Sequence, residues 1–259
     1  PRIADATVTI GTFDGVHLGH HHLLRAVLDG FHPTVVTFEP HPRHVLSVGP
    51  ERLQILTTVE EKLRKLEKLG IERTIIIPFT REIATLSADV FLRDILVNTV
   101  GLNKLVVGFN HSFGRNREGN IDFMRANEDK YGYELSVISA HEADEVAVSS
   151  TRIRIALESC NLADATRFLG CHYRTEATVV SGEGRGRDLG YPTANLAFFD
   201  DDQLQPAEGV YAVRIRTEDR IWHSGVASIG RKETFGPDYD VAIEVHIFDQ
   251  DLELYGQTV

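Results

Sequence analysis

Two histidines near the N-terminus are spaced to bind an anion. His17 and His20 follow residues 7–10, an apolar, β-branched stretch typical of a buried strand, and they open residues 20–28, which have helical spacing. A strand that turns sharply into a helix leaves the first helical N–H groups unpaired, and the helix dipole there favours negative charge. We therefore expect an anion site, with either protonated imidazole donating to a phosphate oxygen.

Three glycines lie before or between the histidines and support this interpretation. Gly11, Gly15 and Gly19 would let the backbone approach a ligand without a side-chain clash. An H-x-G-H run alone also arises by chance, so its position directly after a strand is what makes it informative. A zinc site of the H-E-x-x-H type is disfavoured, because Leu18 and Gly19 separate the two histidines where a glutamate is needed.

Composition narrows the function classes. The 259 residues suffice for one large or two medium domains, and 42% hydrophobic and 25% charged residues are typical of a soluble protein. No apolar run approaches the roughly 18 residues that span a bilayer, and no signal peptide is apparent, so we expect a cytoplasmic protein without a membrane partner. Cys160 and Cys171 do not indicate a disulfide framework. A net charge of −11 argues against a nucleic-acid partner, so we expect small-molecule ligands. The sequence leaves the oligomeric state open.

Alternating strands and helices must position the histidines. Further strands are predicted over residues 34–38, 73–79, 104–108 and 133–138, and helices over 57–70, 87–100 and 122–131. This alternation predicts a parallel sheet covered on both faces, with ligands bound beyond the carboxyl ends of the strands. Four loops would converge at that edge: residues 11–20, 39–42, 108–119 and the stretch around Ser149.

Hydroxyls at residues 149–151 predict the start of a helix, followed at once by two arginines. Arg152 and Arg154 lie near a positive helix end, which is unfavourable unless an anion is bound there. Either arginine is therefore a phosphate candidate, and solvated surface arginines are the alternative. Residues 152–158 and 162–169 predict two helices that form a structured connection to the second half.

The second half has short β-rich segments, at residues 176–181, 209–216, 221–228 and 241–248, which indicate an antiparallel barrel or sandwich. The glycine-rich residues 182–190 are not a Rossmann fingerprint, because no amphipathic helix follows. On extended backbone Thr193 and Asn195 would face the same way, an arrangement that suits a Mg²⁺-bound phosphate. Taken alone, Pro-Thr-Ala-Asn is more typical of a turn.

Four motifs in the first half resemble the adenylyltransferase half of bacterial bifunctional riboflavin kinase/FAD synthetases: residues 11–20 (GTFDGVHLGH), 37–42 (TFEPHP), 107–114 (VGFNHSFG) with Gly119, and 149–154 (SSTRIR). The resemblance implies an α/β, Rossmann-like nucleotidyltransferase domain over residues 1–158. It implies that His17, His20 and Arg154 hold the triphosphate of ATP, with Mg²⁺ bridging the phosphates. Further nucleotide or flavin contacts are expected from Phe13, Asp14, Asn110, Ser150, Thr151 and the three glycines.

Residues 184–196 (GRGRDLGYPTANL), 209–212 (GVYA) and 244–249 (EVHIFD), before Leu254-Tyr255-Gly256, resemble the riboflavin kinase domain of the same family. The resemblance implies a small antiparallel β-barrel over residues 173–259, after a helical linker over 159–172. It implies that Thr193, as a metal ligand, and Asn195 hold Mg-ATP, that Glu244 is the base for the flavin 5′-hydroxyl, and that Gly184, Gly186 and Arg187 bind nucleotide or flavin. By alternation alone, Glu244 is typical of a solvent-facing strand residue.

The chain departs from this family in two places. Lys232-Glu233-Thr234-Phe235 stands where an Arg-Pro-Thr-Phe run is usual, and the sequence ends at Val259, where the family continues with a strand and a C-terminal helix. We therefore expect a C-terminally incomplete barrel with an exposed strand edge.

The hypothesis that follows is flavin cofactor synthesis in two reactions. Riboflavin would be phosphorylated by ATP to FMN, and AMP would be transferred from ATP to FMN, giving FAD and pyrophosphate. One alternative is an adenylyltransferase whose second domain only binds flavin. Another is a flavin-sensing regulatory protein without turnover.

Overall fold

Two compact units make up the computed structural model, which describes residues 5–48, 52–139, 148–182, 191–231, 241–249 and 252–259. One unit comprises Pro1–Ile153 and Thr166–Cys171, and the other comprises Arg154–Ala165 and His172–Val259. The division passes through the two helices expected between the domains. The predicted boundaries at residues 158 and 172 stay predictions.

The first unit is built on a five-stranded parallel sheet, as predicted. Its strand order is β3-β2-β1-β4-β5, so the chain builds outward from β1 on one side and then crosses to the other. The turn after β1 and the loop after β4 are therefore neighbours at the carboxyl edge, at the point where the strand order reverses. The strands are β1 Ala6–Ile10, β2 Thr34–Glu39, β3 Arg73–Pro78, β4 Leu102–Gly108 and β5 Glu134–Ile138.

Helices cover both faces of this sheet and bury all five residues of β1. On one face Val8 packs with Leu92 and Leu96, and on the other Val35 and Val106 pack with helical leucines and valines. The helices are α1 Leu18–Leu28, α2 Pro42–Leu46, α3 Val59–Lys68, α4 Arg81–Thr85, α5 Ala88–Val90, α6 Ile121–Ala126 and α7 Glu128–Tyr131.

Two predicted helices differ in detail from the expectation. Ser87 caps α5 as predicted, but the chain then continues as a π-helix over Phe91–Val100, and the N–H of Gly101 reaches back five residues to the carbonyl of Leu96. Residues 122–131 form two short helices because the chain leaves helical geometry at Asn127, whose side-chain amide donates to the carbonyl of Phe123 at 2.8 Å.

The second unit contains a five-stranded antiparallel sheet in the order β6-β7-β10-β9-β8. One sheet face forms an apolar core that includes Val179, Ile229, Ile243 and Val245. The strands are β6 Ala177–Val180, β7 Ala194–Phe198, β8 Gly209–Arg216, β9 Trp222–Arg231 and β10 Val241–Ile247. The interpretation of Pro-Thr-Ala-Asn as a turn is wrong at Ala194 and Asn195, which begin β7 because they pair with β10.

The exposed strand edge expected of an incomplete barrel is not found at β6. The N–H of Val179 donates to the carbonyl of Gln257 at 2.9 Å, and that of Ala177 donates to Val259 at 3.1 Å. The segment 257–259 therefore runs beside β6 and satisfies its outer backbone groups.

Two further helices are α8 Ser150–Glu158 and α9 Leu162–Leu169, as predicted. Asn161 caps α9, since its Oδ1 accepts from the N–H of Asp164 at 3.1 Å. Of the helices described, none is both long and apolar enough to cross a membrane.

Replacing Gly30 by alanine should destabilise the first unit. A Cβ at Gly30 would lie 2.0 Å from Oγ1 of Thr7, a side chain only 2% exposed on β1. We expect the free energy of unfolding, measured by urea denaturation and circular dichroism, to fall by about 1–3 kcal/mol. Gly230→Ala is the matched control, because a Cβ there meets no atom within 4 Å. Equal stability of both variants would contradict the prediction.

Candidate functional site

The turn that joins β1 to α1 has a strained backbone. Phe13, Gly15 and Val16 have φ values of 48°, 87° and 45°. Left-handed geometry is uncommon for phenylalanine and an outlier for a β-branched residue such as valine, and it costs about 1–3 kcal/mol per residue. Such strain persists only where the surroundings impose it, and it clusters at ligand-binding segments.

Asp14 and its neighbours hold this turn in place. The buried carboxylate of Asp14 accepts from the N–H groups of Leu56 and Thr57 at 2.8 and 3.2 Å. The N–H of Gly15 donates to Oγ1 of Thr57 at 3.0 Å, and the hydroxyl of Ser150 donates to the carbonyl of Asp14 at 2.9 Å. The turn is thus attached to the segment before α3 and to the start of α8. The Asp14 side chain bonds to other residues of the chain, and its expected contact with a ligand stays a prediction.

His17 and His20 lie together, as predicted. His17 is the N-cap of α1, and its ring stacks on that of His20 with 3.6 Å between centroids and 14° between planes. Nδ1 of His20 accepts from the backbone N–H of His17 at 3.3 Å. A neutral His20 therefore carries its proton on Nε2, which makes that atom a donor.

Two neighbours support the histidine pair. The buried ring of Phe13 meets the ring of His20 edge-on at 5.1 Å, so its side chain positions the imidazole. A Cβ at Gly19 would lie 2.9 Å from the carbonyl oxygen of Val148 and 3.2 Å from the His17 ring. Gly19 is thus needed for close packing in the protein itself. The ligand contacts expected of Phe13, Gly11, Gly15 and Gly19 stay predictions.

Burial changes the expected charge of His20. It lowers the pKa of His20 well below the usual range, and the nearby positive groups His17, His21 and Lys62 lower it further. The protonated donor expected from the sequence is thus neutral in the free chain at neutral pH, and it donates through Nε2. A bound polyanion would favour the protonated ring.

Lys62 is a site residue to which the sequence analysis gave no role. It is only 5% exposed, on α3; burial lowers its pKa, while the carboxylates of Asp14 and Glu39 act in the opposite direction. Its charge therefore lies near the ends of β1 and β2. Lys65, on the next turn, donates to the carbonyl of Gly15 at 3.1 Å. The sequence signal that could have identified it is its position four residues before buried Leu66, which places it on the apolar face of the helix.

The loop after β4 contains one more missed candidate. Asn110 is exposed and its carbonyl accepts from Arg117 at 3.4 Å, so its predicted ligand contact is left untested. Nε2 of His111 is buried and has no hydrogen-bond partner in the described part of the chain. Burial, with a smaller effect of Arg117, lowers the pKa of His111 to about 4. Residue 111 lay inside a quoted motif but received no role.

The start of α8 distinguishes the two arginines. The hydroxyl of Ser149 accepts from the N–H of Arg152 at 3.3 Å and so caps the helix, as predicted. Thr151 and Arg152 are exposed, whereas Arg154 is 9% exposed. Arg154 is therefore not a solvated surface arginine. It belongs to the second unit, and its phosphate contact stays a prediction, as does that of Thr151.

In the second unit the sheet places two candidates side by side. Asn195 on β7 and Glu244 on β10 are directly paired in register, so their side chains share one face about 4.5–5.5 Å apart at Cβ. Neighbouring Ile243 and Val245 point to the core on the other face. Thr193 lies one residue before β7. Gly184, Gly186, Arg187 and residues 232–235 lie outside the described residues.

Gly182 is packed against the Asn195 side chain. A Cβ at position 182 would lie 1.9 Å from Nδ2 of Asn195 and 2.5 Å from its Cγ. Only a glycine allows the amide of Asn195 to occupy this position.

The oxygen atoms of Thr193 and Asn195 suit a hard cation that takes most of its ligands from a bound small molecule rather than from the protein. Within the described ranges, no group of three or more His, Cys, Asp or Glu residues could hold a metal ion. The Thr193 hydroxyl and the Asn195 amide offer oxygen atoms, which Mg²⁺ prefers, and Mg²⁺ characteristically takes few protein ligands and several from phosphates. The residues present therefore fit Mg²⁺ that arrives with a nucleotide.

Comparison with known proteins covers both units. The FAD synthetase family model matches residues 2–152, and the riboflavin kinase family model matches residues 169–259. Proteins named bifunctional riboflavin kinase/FMN adenylyltransferase from Listeria monocytogenes and Escherichia coli K12 are 37% and 34% identical; the alignments cover 96% and 97% of this chain and 80% and 81% of those proteins. A Streptococcus pneumoniae crystal structure titled macrolide-efflux protein has a TM-score of 0.87 at 30% identity, covering 100% of this chain and 84% of that one.

His111, a partly buried residue whose Nε2 is fully buried, should make the chain less stable in acid. Since its pKa is about 4 in the folded chain and 6.5 is the ordinary value, the unfolded chain binds the proton more readily. This contribution to stability is complete above pH 6.5 and falls by up to about 3 kcal/mol as the pH drops towards 4. Urea denaturation at pH 7.5 and 4.5 should therefore show a smaller pH effect in His111→Asn. Identical pH dependence in both proteins would contradict the prediction.

Proposed function

The chain belongs to the family of bifunctional riboflavin kinase/FMN adenylyltransferases, and on that premise we propose which residues carry each reaction. The enzyme phosphorylates riboflavin to FMN and adenylylates FMN to FAD. The FAD synthetase match ends at residue 152 and the riboflavin kinase match begins at 169. We therefore assign adenylyl transfer to the first unit and the kinase reaction to the second.

Adenylyl transfer needs positioning and charge stabilisation rather than a protein nucleophile. A phosphate oxygen of FMN attacks the α-phosphorus of ATP, the bond from that phosphorus to the bridging oxygen breaks, and pyrophosphate leaves. The observation that supports the assignment is the stacked His17 and His20 pair at the start of α1, with Nδ1 of His20 already occupied. Nε2–H of His20 is then the donor to an oxygen that gains charge in the transition state.

Lys62 and Arg154 supply fixed positive charge in this proposal. Lys62 offsets the carboxylates of Asp14 and Glu39, which would otherwise repel a polyphosphate. Buried Arg154 is assigned to the β- and γ-phosphates of ATP. Asn110, two residues after β4, is assigned to the nucleotide or flavin.

The kinase reaction is assigned to the paired Asn195 and Glu244. The riboflavin 5′-hydroxyl attacks the γ-phosphorus of ATP, its proton passes to the Glu244 carboxylate, and ADP leaves. Thr193 and Asn195 hold the nucleotide, and the Thr193 hydroxyl would be the protein ligand of Mg²⁺. Bound Mg²⁺ supplies neutralisation of phosphate charge. The in-register pair on β7 and β10 is the observation behind this assignment.

Removing the His20 donor should impair only adenylyl transfer. We expect His20→Ala to lower FAD formation from supplied FMN and ATP by roughly 10²-fold or more, because a transition-state donor is lost. Riboflavin phosphorylation by the same variant should stay normal, which excludes global unfolding. His22→Ala, two residues away on α1, is the matched control. Unchanged FAD formation in His20→Ala would remove His20 from the site.

Neutralising Glu244 should impair only the kinase reaction. We expect Glu244→Gln to lower FMN formation from riboflavin by about 10²-fold or more, since general-base catalysis is lost while side-chain size is kept. The rate of FAD formation from supplied FMN is the internal control, and Glu253→Gln, an exposed glutamate, matches the charge change. Normal FMN formation in Glu244→Gln would defeat this assignment.

One assay separates the main proposal from its alternatives. One reaction contains riboflavin and Mg-ATP and a second contains FMN and Mg-ATP, and chromatography resolves FMN from FAD in both, so each unit is tested by its own product. FAD made from FMN without any FMN made from riboflavin would indicate a second unit that only binds flavin. Absence of both products would indicate a flavin sensor.

A further inference from the structure

His246 lies on the same sheet face as the proposed kinase residues. It follows Glu244 by two positions on β10, so both side chains project from that face while Val245 and Ile247 point to the core. Glu244 is paired with Asn195 across the strands. His246 is therefore the next side chain along this face, towards the segment that precedes β7.

The imidazole of His246 holds that segment directly. Its Nδ1 lies 2.9 Å from the carbonyl oxygen of Pro192. A carbonyl oxygen can only accept, so Nδ1 carries the hydrogen and the neutral ring has its lone pair on Nε2. Pro192 immediately precedes Thr193, the proposed ligand of the metal–nucleotide complex.

The backbone offers little to replace this contact. In the described residues, pairing between β7 and β10 ends at Ala194 and Val245. Two residues earlier, Pro192 has no N–H to donate to a strand ladder. The hydrogen bond of His246 thus joins β10 to the segment before β7, beyond the last backbone pair. This connection orients Thr193.

Aromatic rings on two sides restrict the imidazole. Tyr191 meets it edge-on at 5.5 Å between centroids, and Phe248 meets it edge-on at 5.8 Å. These contacts limit rotation of the ring, so the hydrogen bond has a defined direction.

We propose that His246 is a positioning residue for the riboflavin kinase reaction: through its hydrogen bond to Pro192 it places the Thr193 hydroxyl and the Asn195 amide for the phosphates of ATP. The inference rests on the roles proposed for Thr193, Asn195 and Glu244. His246 itself acts through Pro192. Its removal should therefore weaken use of ATP more than it lowers the turnover number.

The test compares substitutions that keep or remove the donor. Asparagine places its Nδ2 close to the position of Nδ1, whereas glutamine places its amide one bond further out and leucine has no donor. We expect His246→Leu and His246→Gln to raise the KM for ATP in FMN formation by about tenfold, the size of one lost hydrogen bond, with a smaller change in kcat. His246→Asn should restore most of the affinity. FAD formation from supplied FMN should be unchanged in all three.

A second measurement is independent of activity. Without nucleotide, hydrogen–deuterium exchange in a peptide spanning residues 191–198 should be faster in His246→Leu and His246→Gln than in wild type, and near wild type in His246→Asn. Phe248→Leu removes a ring contact but keeps the hydrogen bond, so its KM for ATP should stay near wild type.

The outcomes separate this inference from the function on which it rests. A wild-type KM for ATP in both His246→Leu and His246→Gln, with Glu244→Gln inactive as a kinase, overturns the role of His246 alone. Equal defects in His246→Asn and His246→Leu also overturn it, because the hydrogen bond would then not matter. Normal FMN formation in Glu244→Gln overturns the kinase assignment itself.

Discussion

The buried carboxylate of Asp14 is the contact on which the first site depends. By accepting two backbone N–H groups from residues 56 and 57, it joins the strained turn after β1 to the segment that opens α3. An unpaired carboxylate in that position would be costly, so the hydrogen bonds and nearby Lys62 are needed together. With the turn held, His17 begins α1 at a fixed place and His20 stacks on it. The placement of the two histidines thus depends on the carboxylate of Asp14.

Local patterns in the sequence predict the scaffold of this site well. The β-branched residues of β1, the glycines of the turn and the hydroxyl of Ser149 act within a few residues of their own positions, and the structure has the strand, turn and helix start where these patterns place them. Lys62 could not be assigned in this way. Its spacing to Leu66 places it on the apolar face of α3, but the carboxylate of Asp14, which acts on its pKa, is 48 residues away along the chain. Only the folded chain brings Lys62 near Asp14 and Glu39.

The same distinction explains the errors. Pro-Thr-Ala-Asn favours a turn by local chemistry, yet pairing with β10 makes its last two residues a strand. The break at Asn127 depends on a side-chain bond to the carbonyl of Phe123, which competes with the helix. For Glu244, alternation alone suggests a solvated residue, and only the register with Asn195 brings two polar candidates together. In each case a paired strand or a side-chain contact, rather than the local sequence pattern, determines the structure.

Gly182 connects packing to the evolutionary history of the second site. Since a Cβ at this position would overlap the Asn195 amide, residue 182 cannot gain a side chain while that amide stays where it is. Across an alignment of relatives the two positions should covary, with a larger residue at 182 tolerated only beside a shorter side chain at 195. A larger residue at 182 in a relative therefore indicates that the amide at 195 is displaced or absent there, even though position 182 itself contributes no functional group.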